Sequence, residues 1–237
     1  GSPLSLTGED SLTSSQWGDK TMTMVGNVVL FSSAETYTLG SYTLPNYLIF
    51  GYDTERWNFR ALISDFFGTN NLEQLHTFPQ FNPRNTTNQL PSYEVTQNSW
   101  TISKALKAAV APLAENLFRS LLYDHVATFL FPISGYQPLA GMRVNFHGSK
   151  AILCFHSDAE YGQTLEGINL WLPVTKVWGS NSMYLESDVG RADFTPLQLE
   201  YGQACIFYGS KLVHGTVDND SGSTRISYDI RFRVKQP

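Results

Sequence analysis

The sequence predicts a mainly β domain with helices packed against it. Three observations carry that expectation. From Phe131 onward, short runs rich in Val, Ile, Phe and Tyr are separated by Gly, Pro, Asn or Ser. Upstream, Ile102, Leu106, Ala109, Val110, Leu113, Leu117 and Leu121 recur at steps of three and four, the stripe of a helix laid on a sheet. The last run, 224–234, alternates: Ile226, Tyr228, Ile230, Phe232 and Val234 share one face, and Arg225, Ser227, Asp229, Arg231 and Arg233 share the other. A polar face on such a strand is a misfit with an ordinary core and fits a wet pocket.

At 237 residues the chain fits one large domain with a full core. The net charge of −5 and the lack of any Lys/Arg-rich run argue against nucleic acid as the main partner. No apolar run is long enough for a transmembrane helix, so no membrane partner is expected. Gly1-Ser2 reads as a cloning remnant, and no signal peptide is visible. Cys154 and Cys205 sit in apolar stretches and read as buried thiols without a disulfide, which suits a reducing, cytoplasmic setting.

In chain order, 1–24 is Ser-, Thr- and Gly-rich and reads as a loose N-terminal arm, with a single domain over 25–237. Within it, 25–130 supplies helical, lid and support elements, and 131–237 the metal-binding core. The spacing predicts a strand over 27–31, short strands or loop over 37–52, and a helix over 54–67. The Asn- and Pro-rich stretch 70–98 reads as an irregular loop of the kind that forms lids. A helix follows over 101–130, with Pro112 expected to break or kink it. Strands are expected at 142–146, 151–157, 167–172, 182–186, 204–207 and 224–234.

The chemistry gathers in the same half. His156 and Asp158 are two apart, so on a strand they project from one face. His214 lies far enough downstream for the chain to return beside them. Two imidazoles and a carboxylate on one face of an ion leave the opposite positions open, the facial arrangement of non-haem Fe(II) oxygenases. Arg225 follows His214 by eleven positions, and Ser227 shares its strand face. A guanidinium fork with a hydroxyl beside it suits a carboxylate held deep in a pocket.

Two segments carry a closer resemblance. One is Phe155-His156-Ser157-Asp158-Ala159-Glu160-Tyr161-Gly162, followed by Ile168-Asn169-Leu170-Trp171-Leu172-Pro173-Val174-Thr175. The other is Leu212-Val213-His214-Gly215 with Asn219, Gly222 and Thr224-Arg225. Together they resemble the phytanoyl-CoA-hydroxylase-like branch of the 2-oxoglutarate/Fe(II) oxygenases. Within it they are most similar to small oxygenases of carbohydrate and aminosugar biosynthesis clusters, a streptomycin-cluster type among them. The match covers roughly 140–234, and 1–130 carries no recognised motif.

The resemblance implies a double-stranded β-helix (jelly roll, cupin-like) buttressed by helices. It implies Fe(II) on His156, Asp158 and His214, and 2-oxoglutarate held by Arg225 and Ser227, with Asn169 near the cosubstrate. It implies O₂-dependent oxidation of an unactivated C–H of a small polar, sugar-like substrate, most simply hydroxylation. Halide rebound is disfavoured, because Asp158 fills the position that halogenating relatives leave open. Arg143, Asn145, Tyr161 and Trp171 are the candidate substrate-binding residues. Substrate choice is expected from the first half, from the Asn/Pro-rich loop and the Tyr-rich segments. Trp57, Trp100, Trp171 and Trp178 could stack on a sugar, although aromatic residues more often fill cores. His76, His125 and His147 are expected to be structural. Three other readings stay open: the same chemistry on a free or carrier-bound amino acid, a non-catalytic metal-binding jelly-roll module, and a zinc hydrolase, in which Arg225 and Ser227 would have no evident task.

Overall fold

The computed structural model describes residues 21–83, 90–152 and 154–236. Most of the expected arm lies outside the described residues. Its last positions, 21–24, belong instead to a strand, β1 (Thr21–Val25), which turns at Gly26 and pairs antiparallel with β2 (Val28–Ser32). A hairpin of β3 (Thr36–Leu39) and β4 (Tyr42–Pro45) follows, then β5 (Tyr47–Gly51). α1 (Phe59–Phe67) begins later than expected. Asn58 sets its start by accepting a hydrogen bond from the Ala61 N–H, and Gly68 closes it in the left-handed region.

The stretch expected as one irregular loop is partly ordered. Leu72–Thr77 forms a 3₁₀ turn that buries Leu72 and Leu75, and α2 (Tyr93–Ser120) starts within the stretch, capped by Ser92 on the Val95 N–H. The rest of it, 84–89, lies outside the described residues. α2 runs through Pro112 without the predicted break. Pro112 lies on the exposed side, where water can take up the carbonyl of Ala108, while Leu106, Val110, Ala114 and Phe118 bury the opposite stripe. A π-helical turn, Leu121–Val126, continues α2. No described helix is long and apolar enough to cross a membrane.

The remaining strands are β6 (Ile133–Tyr136), β7 (Gly141–Asn145), β8 (Ile168–Pro173), β9 (Tyr184–Leu185), β10 (Thr195–Pro196), β11 (Gln203–Phe207), β12 (His214–Gly215) and β13 (Arg225–Val234). Leu153 lies outside the described residues, and the described residues of the strand expected over 151–157 form none. Among them only His156 pairs, in a single antiparallel bridge with His214.

The strands fall into two sheets, and the chain passes repeatedly between them. The large sheet contains the order β7-β13-β8-β11, extended through β5, β2 and β1, with β6 on the far end of β13. The small sheet runs from the His156 bridge to β12, β9 and β10. Taken in sequence, β7 is in the large sheet, His156 in the small, β8 in the large, β9 and β10 in the small, β11 in the large, β12 in the small and β13 in the large. That winding is a double-stranded β-helix, the jelly roll.

Strand alternation divides the core in two. Ile168, Leu170, Leu172, Ala204, Ile206, Ile226, Tyr228, Ile230 and Phe232 point out of the large sheet and pack on Phe59, Ile63, Leu106, Val110 and Phe118 of the helices. Trp171, Cys205 and Phe207 point the other way and meet Met183, Leu185, Leu197 and Leu212 between the sheets. The two cysteines part company here. Cys205 is buried, but Cys154, expected to be buried, is exposed, because the strand that was to hide it does not form.

α2 also covers an edge. Within the large sheet β7 pairs only with β13, so one row of its backbone groups faces away from the sheet. Ser103 Oγ accepts from the Val144 N–H at 2.8 Å, and Ser99 Oγ accepts from the Phe146 N–H at 3.1 Å. Two helix hydroxyls thus serve as the missing neighbour strand and fix α2 along β7.

Candidate metal centre

The His156–His214 bridge sets two imidazoles side by side. The His156 N–H donates to the His214 carbonyl at 3.0 Å, the His214 N–H donates back at 2.9 Å, and the rings lie 4.8 Å apart. Asp158 reaches them differently from the sequence expectation. It does not share a strand face with His156; it opens a 3₁₀ turn, Asp158–Tyr161, with Ser157 and Glu160 forming a capping box. The Asp158 N–H donates to the Gly209 carbonyl at 2.8 Å, which pins the turn to the chain after β11. Its Oδ1 then lies 3.7 Å from Nε2 of His214 and 4.0 Å from Nε2 of His156.

One donor atom from each of the three residues falls within 4.8 Å of the others. Two atoms on one ion at a bond length of roughly 2.1 Å can lie up to about 4.2 Å apart, so both carboxylate–imidazole spacings suit a shared cation. The protonation pattern agrees. His156 Nδ1 is 2.9 Å from the Cys154 carbonyl and His214 Nδ1 is 3.0 Å from the Leu212 carbonyl. Each Nδ1 therefore carries the proton and donates, which leaves each Nε2 with a lone pair for a metal. Burial pushes the His214 imidazole below its ordinary pKa and keeps it neutral, as a ligand must be.

Asp158 is held from behind. Its Oδ2 accepts from Nδ2 of Asn169 at 2.8 Å and from Nε and Nη2 of Arg231 at 3.1 and 2.9 Å. Asn169 was expected beside a cosubstrate. It is buried behind the carboxylate and off the cavity wall, so its place is that of an orienting partner for Asp158. Gly209 makes room for it: a Cβ there would come within 2.7 Å of the Asn169 side chain.

The three donors stand in a cavity of about 590 Å³ between the sheets, whose wall includes Arg225, Ser227, Asp229 and Arg231 of β13. The polar face read from the alternation of 224–234 is therefore the cavity face. Arg225 is almost wholly buried. Its Nη1 donates to the Asn181 carbonyl at 3.0 Å, its Nε has no hydrogen-bond partner, and no carboxylate pairs with it among the described residues. Burial, and then the neighbouring Arg143, push its pKa down to about 10, so it stays charged near neutrality. A buried, unpaired guanidinium beside three metal-type donors fits an anionic ligand entering between them. Asp229 also keeps a buried carboxyl oxygen without a partner, and burial raises its pKa above the ordinary carboxylate range.

Arg143, Asn145, Tyr161 and Trp171 all line this cavity, Tyr161 edge-on to His156 with ring centres 4.9 Å apart. Of the other tryptophans, Trp100 lines it. Trp57 is buried under α2 and donates to Ser120 Oγ, and Trp178 is off the wall. His76 and His147 are buried with ring centres 5.4 Å apart, and His125 Nε2 lies 2.8 Å from the Gly51 carbonyl; none of the three lines the cavity.

None of the described residues of the Asn/Pro-rich loop reaches the cavity either. The first half contributes through α2, by Trp100, Ser103, Lys104 and Lys107. Sequence reasoning missed this, having assigned the α2 stripe to core alone. The polar residues flanking that stripe were the available signal. It also gave Arg231 no partner, although it placed Arg231 on the polar face.

No protein-family model matches the chain. By sequence it is 24% identical over 188 residues to the streptomycin biosynthesis protein StrG of Streptomyces griseus, covering 79% of this chain and 85% of that one. Three solved structures are similar. A non-heme monooxygenase, the ThoJ–nickel complex, gives a TM-score of 0.42 at 17% identity over 59% of this chain and 65% of that one. AviO1 from Streptomyces viridochromogenes Tue57 gives 0.40 at 18% identity, over 52% and 62%. SnoK, a non-heme alpha-ketoglutarate-dependent carbocyclase from nogalamycin biosynthesis, gives 0.39 at 16% identity, over 49% and 58%. The chain spans less than two thirds of each of these three solved chains. The chain is thus similar to a streptomycin biosynthesis protein and to solved proteins that include a non-heme monooxygenase and a non-heme alpha-ketoglutarate-dependent carbocyclase.

Proposed function

We propose that this protein is an Fe(II)- and 2-oxoglutarate-dependent dioxygenase that oxidises an unactivated C–H of a small, polar, sugar-like substrate, with hydroxylation as the outcome. The observation that carries the proposal is the pairing, in one cavity, of a three-donor N,N,O set with a buried guanidinium that has no carboxylate partner. The donor set fits Fe(II): two imidazole nitrogens and one carboxylate oxygen, with no fourth residue closing the ring among the described residues. Iron bound there supplies the oxygen-activating chemistry, with 2-oxoglutarate as the sacrificial reductant.

The chain's own residues do the rest. The backbone carbonyls of Cys154 and Leu212 hold the two Nδ1 protons and fix ring orientation. Asn169 and Arg231 occupy Oδ2 of Asp158 and turn Oδ1 toward the donor cluster. Arg225 binds the distal carboxylate of 2-oxoglutarate through its free Nε–H, and Ser227, two positions on and on the same face, adds a hydroxyl. That ion pair offsets the desolvation of the guanidinium. Trp171 and Trp100 offer ring faces to a sugar, and Asp229 offers a carboxyl oxygen to a substrate hydroxyl. Apolar packing around Met183 and Phe207 keeps water from the inner cavity.

Anaerobic titration with Fe(II) and 2-oxoglutarate tests this. A weak visible charge-transfer band is expected, absent in His156→Ala. In Arg225→Ala the iron site should persist and 2-oxoglutarate should bind more weakly. A protein that holds zinc tightly and ignores 2-oxoglutarate would overturn the proposal. Equal loss of iron and 2-oxoglutarate in Arg225→Ala would show that Arg225 only supports the fold.

A further inference from the structure

We infer that the mouth of the cavity binds a phosphate group of the substrate, through Lys104 and Lys107 of α2 and Arg143 of β7. This rests on the oxygenase reading above and names the substrate class: a phosphorylated sugar or polyol. Lys104 and Lys107 are three apart, hence neighbours on one helix face, and both line the cavity with Arg143. Trp100 joins the strand side to the helix side. Its ring lies 5.0 Å from Lys104 Nζ and 5.4 Å from the Arg143 guanidinium carbon, so one indole carries two cations.

Among the described residues nothing neutralises this group. α2 has no acidic residue between Glu94 and Glu115, so neither lysine has a carboxylate one turn away. None of the three cations makes an ion pair among the described residues. The chain as a whole is acidic, at −5, so the cluster does not reflect a generally basic surface. Like charges held together repel, and such a cluster is stabilised when an anion joins it.

The charge balance of the cavity points the same way. Five cationic side chains line it, Lys104, Lys107, Arg143, Arg225 and Arg231, against two carboxylates, Asp158 and Asp229. Arg231 is matched by Asp158. A divalent ion and the dianion of 2-oxoglutarate cancel each other. The surplus lies at the mouth and is left for the substrate. A phosphate monoester brings close to two negative charges and three acceptor oxygens, which suits two compact ammonium groups and one guanidinium better than a single carboxylate does. Trp100 lines the cavity between these cations, beside the ring that would bear the phosphate.

Calorimetric titration of the Fe(II)- and 2-oxoglutarate-loaded protein under anaerobic conditions tests this, with glucose 1-phosphate, inorganic phosphate, glucose and glucuronate as probes. The cosubstrate already fills the Arg225 end, so a saturable anion signal reports the mouth. Glucose 1-phosphate and inorganic phosphate are expected to bind, with affinity falling as salt rises. Glucose is expected not to bind. The Lys104→Gln/Lys107→Gln double variant should lose about tenfold in affinity for glucose 1-phosphate, as expected for two partly screened charges. Its 2-oxoglutarate affinity should be unchanged. The inference is overturned if neither phosphate probe binds, if the double variant binds like the wild type, or if glucuronate binds as tightly as glucose 1-phosphate. Failure of the oxygenase reading looks different: 2-oxoglutarate does not bind, while phosphate binding can still be read on the metal-free protein.

Discussion

Arg231 grips Oδ2 of Asp158 with two guanidinium nitrogens, Nε at 3.1 Å and Nη2 at 2.9 Å, and so leaves Oδ1 facing His156 and His214. Two charge-assisted bonds on one oxygen fix the position of Oδ2.

That relationship makes Arg231 a positioning residue with a measurable effect. In Arg231→Gln, Fe(II) or Co(II) affinity is expected to fall about 10- to 100-fold, the usual consequence of losing an outer partner of a metal ligand. Arg231→Lys should recover only part of it, because a point charge cannot reproduce the fork. Unchanged Co(II) affinity in Arg231→Gln would show that Asn169 suffices to orient Asp158.

Gly209 should be intolerant of the smallest side chain. Its carbonyl accepts the Asp158 N–H, and a Cβ would meet the Asn169 amide at 2.7 Å. Gly209→Ala is expected to cost about 1–3 kcal/mol of stability through overpacking. Metal affinity should fall further than in an equally destabilised variant far from the site, as read by Co(II) titration alongside chemical denaturation.

Ser103 should matter far more than an exposed helix serine does. In Ser103→Ala the Val144 N–H loses its 2.8 Å acceptor at a buried position, and a loss of about 1–3 kcal/mol is expected. Ser103→Thr keeps the hydroxyl and should lose less. Urea denaturation of the two variants checks the order.

Stability should also depend on pH through His76. Burial, and then the adjacent His147, push its folded-state pKa down to about 4 from an ordinary value of 6.5. Between those values the unfolded chain binds the extra proton, so this contribution is complete above pH 6.5 and is lost as pH falls toward 4. The loss between neutral pH and about pH 5 should be about 2 kcal/mol. His76→Gln retains a polar group near Thr224 and should flatten that part of the profile, measured as the difference between the two proteins' unfolding free energies.

Several features were legible in the chain because they are local and periodic. The alternation of 224–234 separated the core face of β13 from its cavity face. The α2 stripe marked a helix on a sheet. The residue types at His156, Asp158, His214 and Arg225 named a chemistry. Other expectations failed where the deciding force was not local. Pro112 was expected to break or kink the helix, yet α2 runs through it, because an exposed position and a long buried stripe outweigh one missing hydrogen bond. The run before His156 reads as a strand by composition, yet among its described residues only His156 joins a bridge, and Cys154 stays exposed. For Asn169, strand parity could not tell that Asp158 would come round to meet its amide.

The sequence alone determined which atoms are available: two imidazoles, a carboxylate, a guanidinium and the strands that carry them. Only the tertiary structure decided which oxygen of Asp158 is free, which residues hold the other, and that α2 closes the cavity with cations. Backbone pattern is set by neighbours a few residues away. Those contacts join residues tens of positions apart, and their geometry exists only once the two sheets have packed.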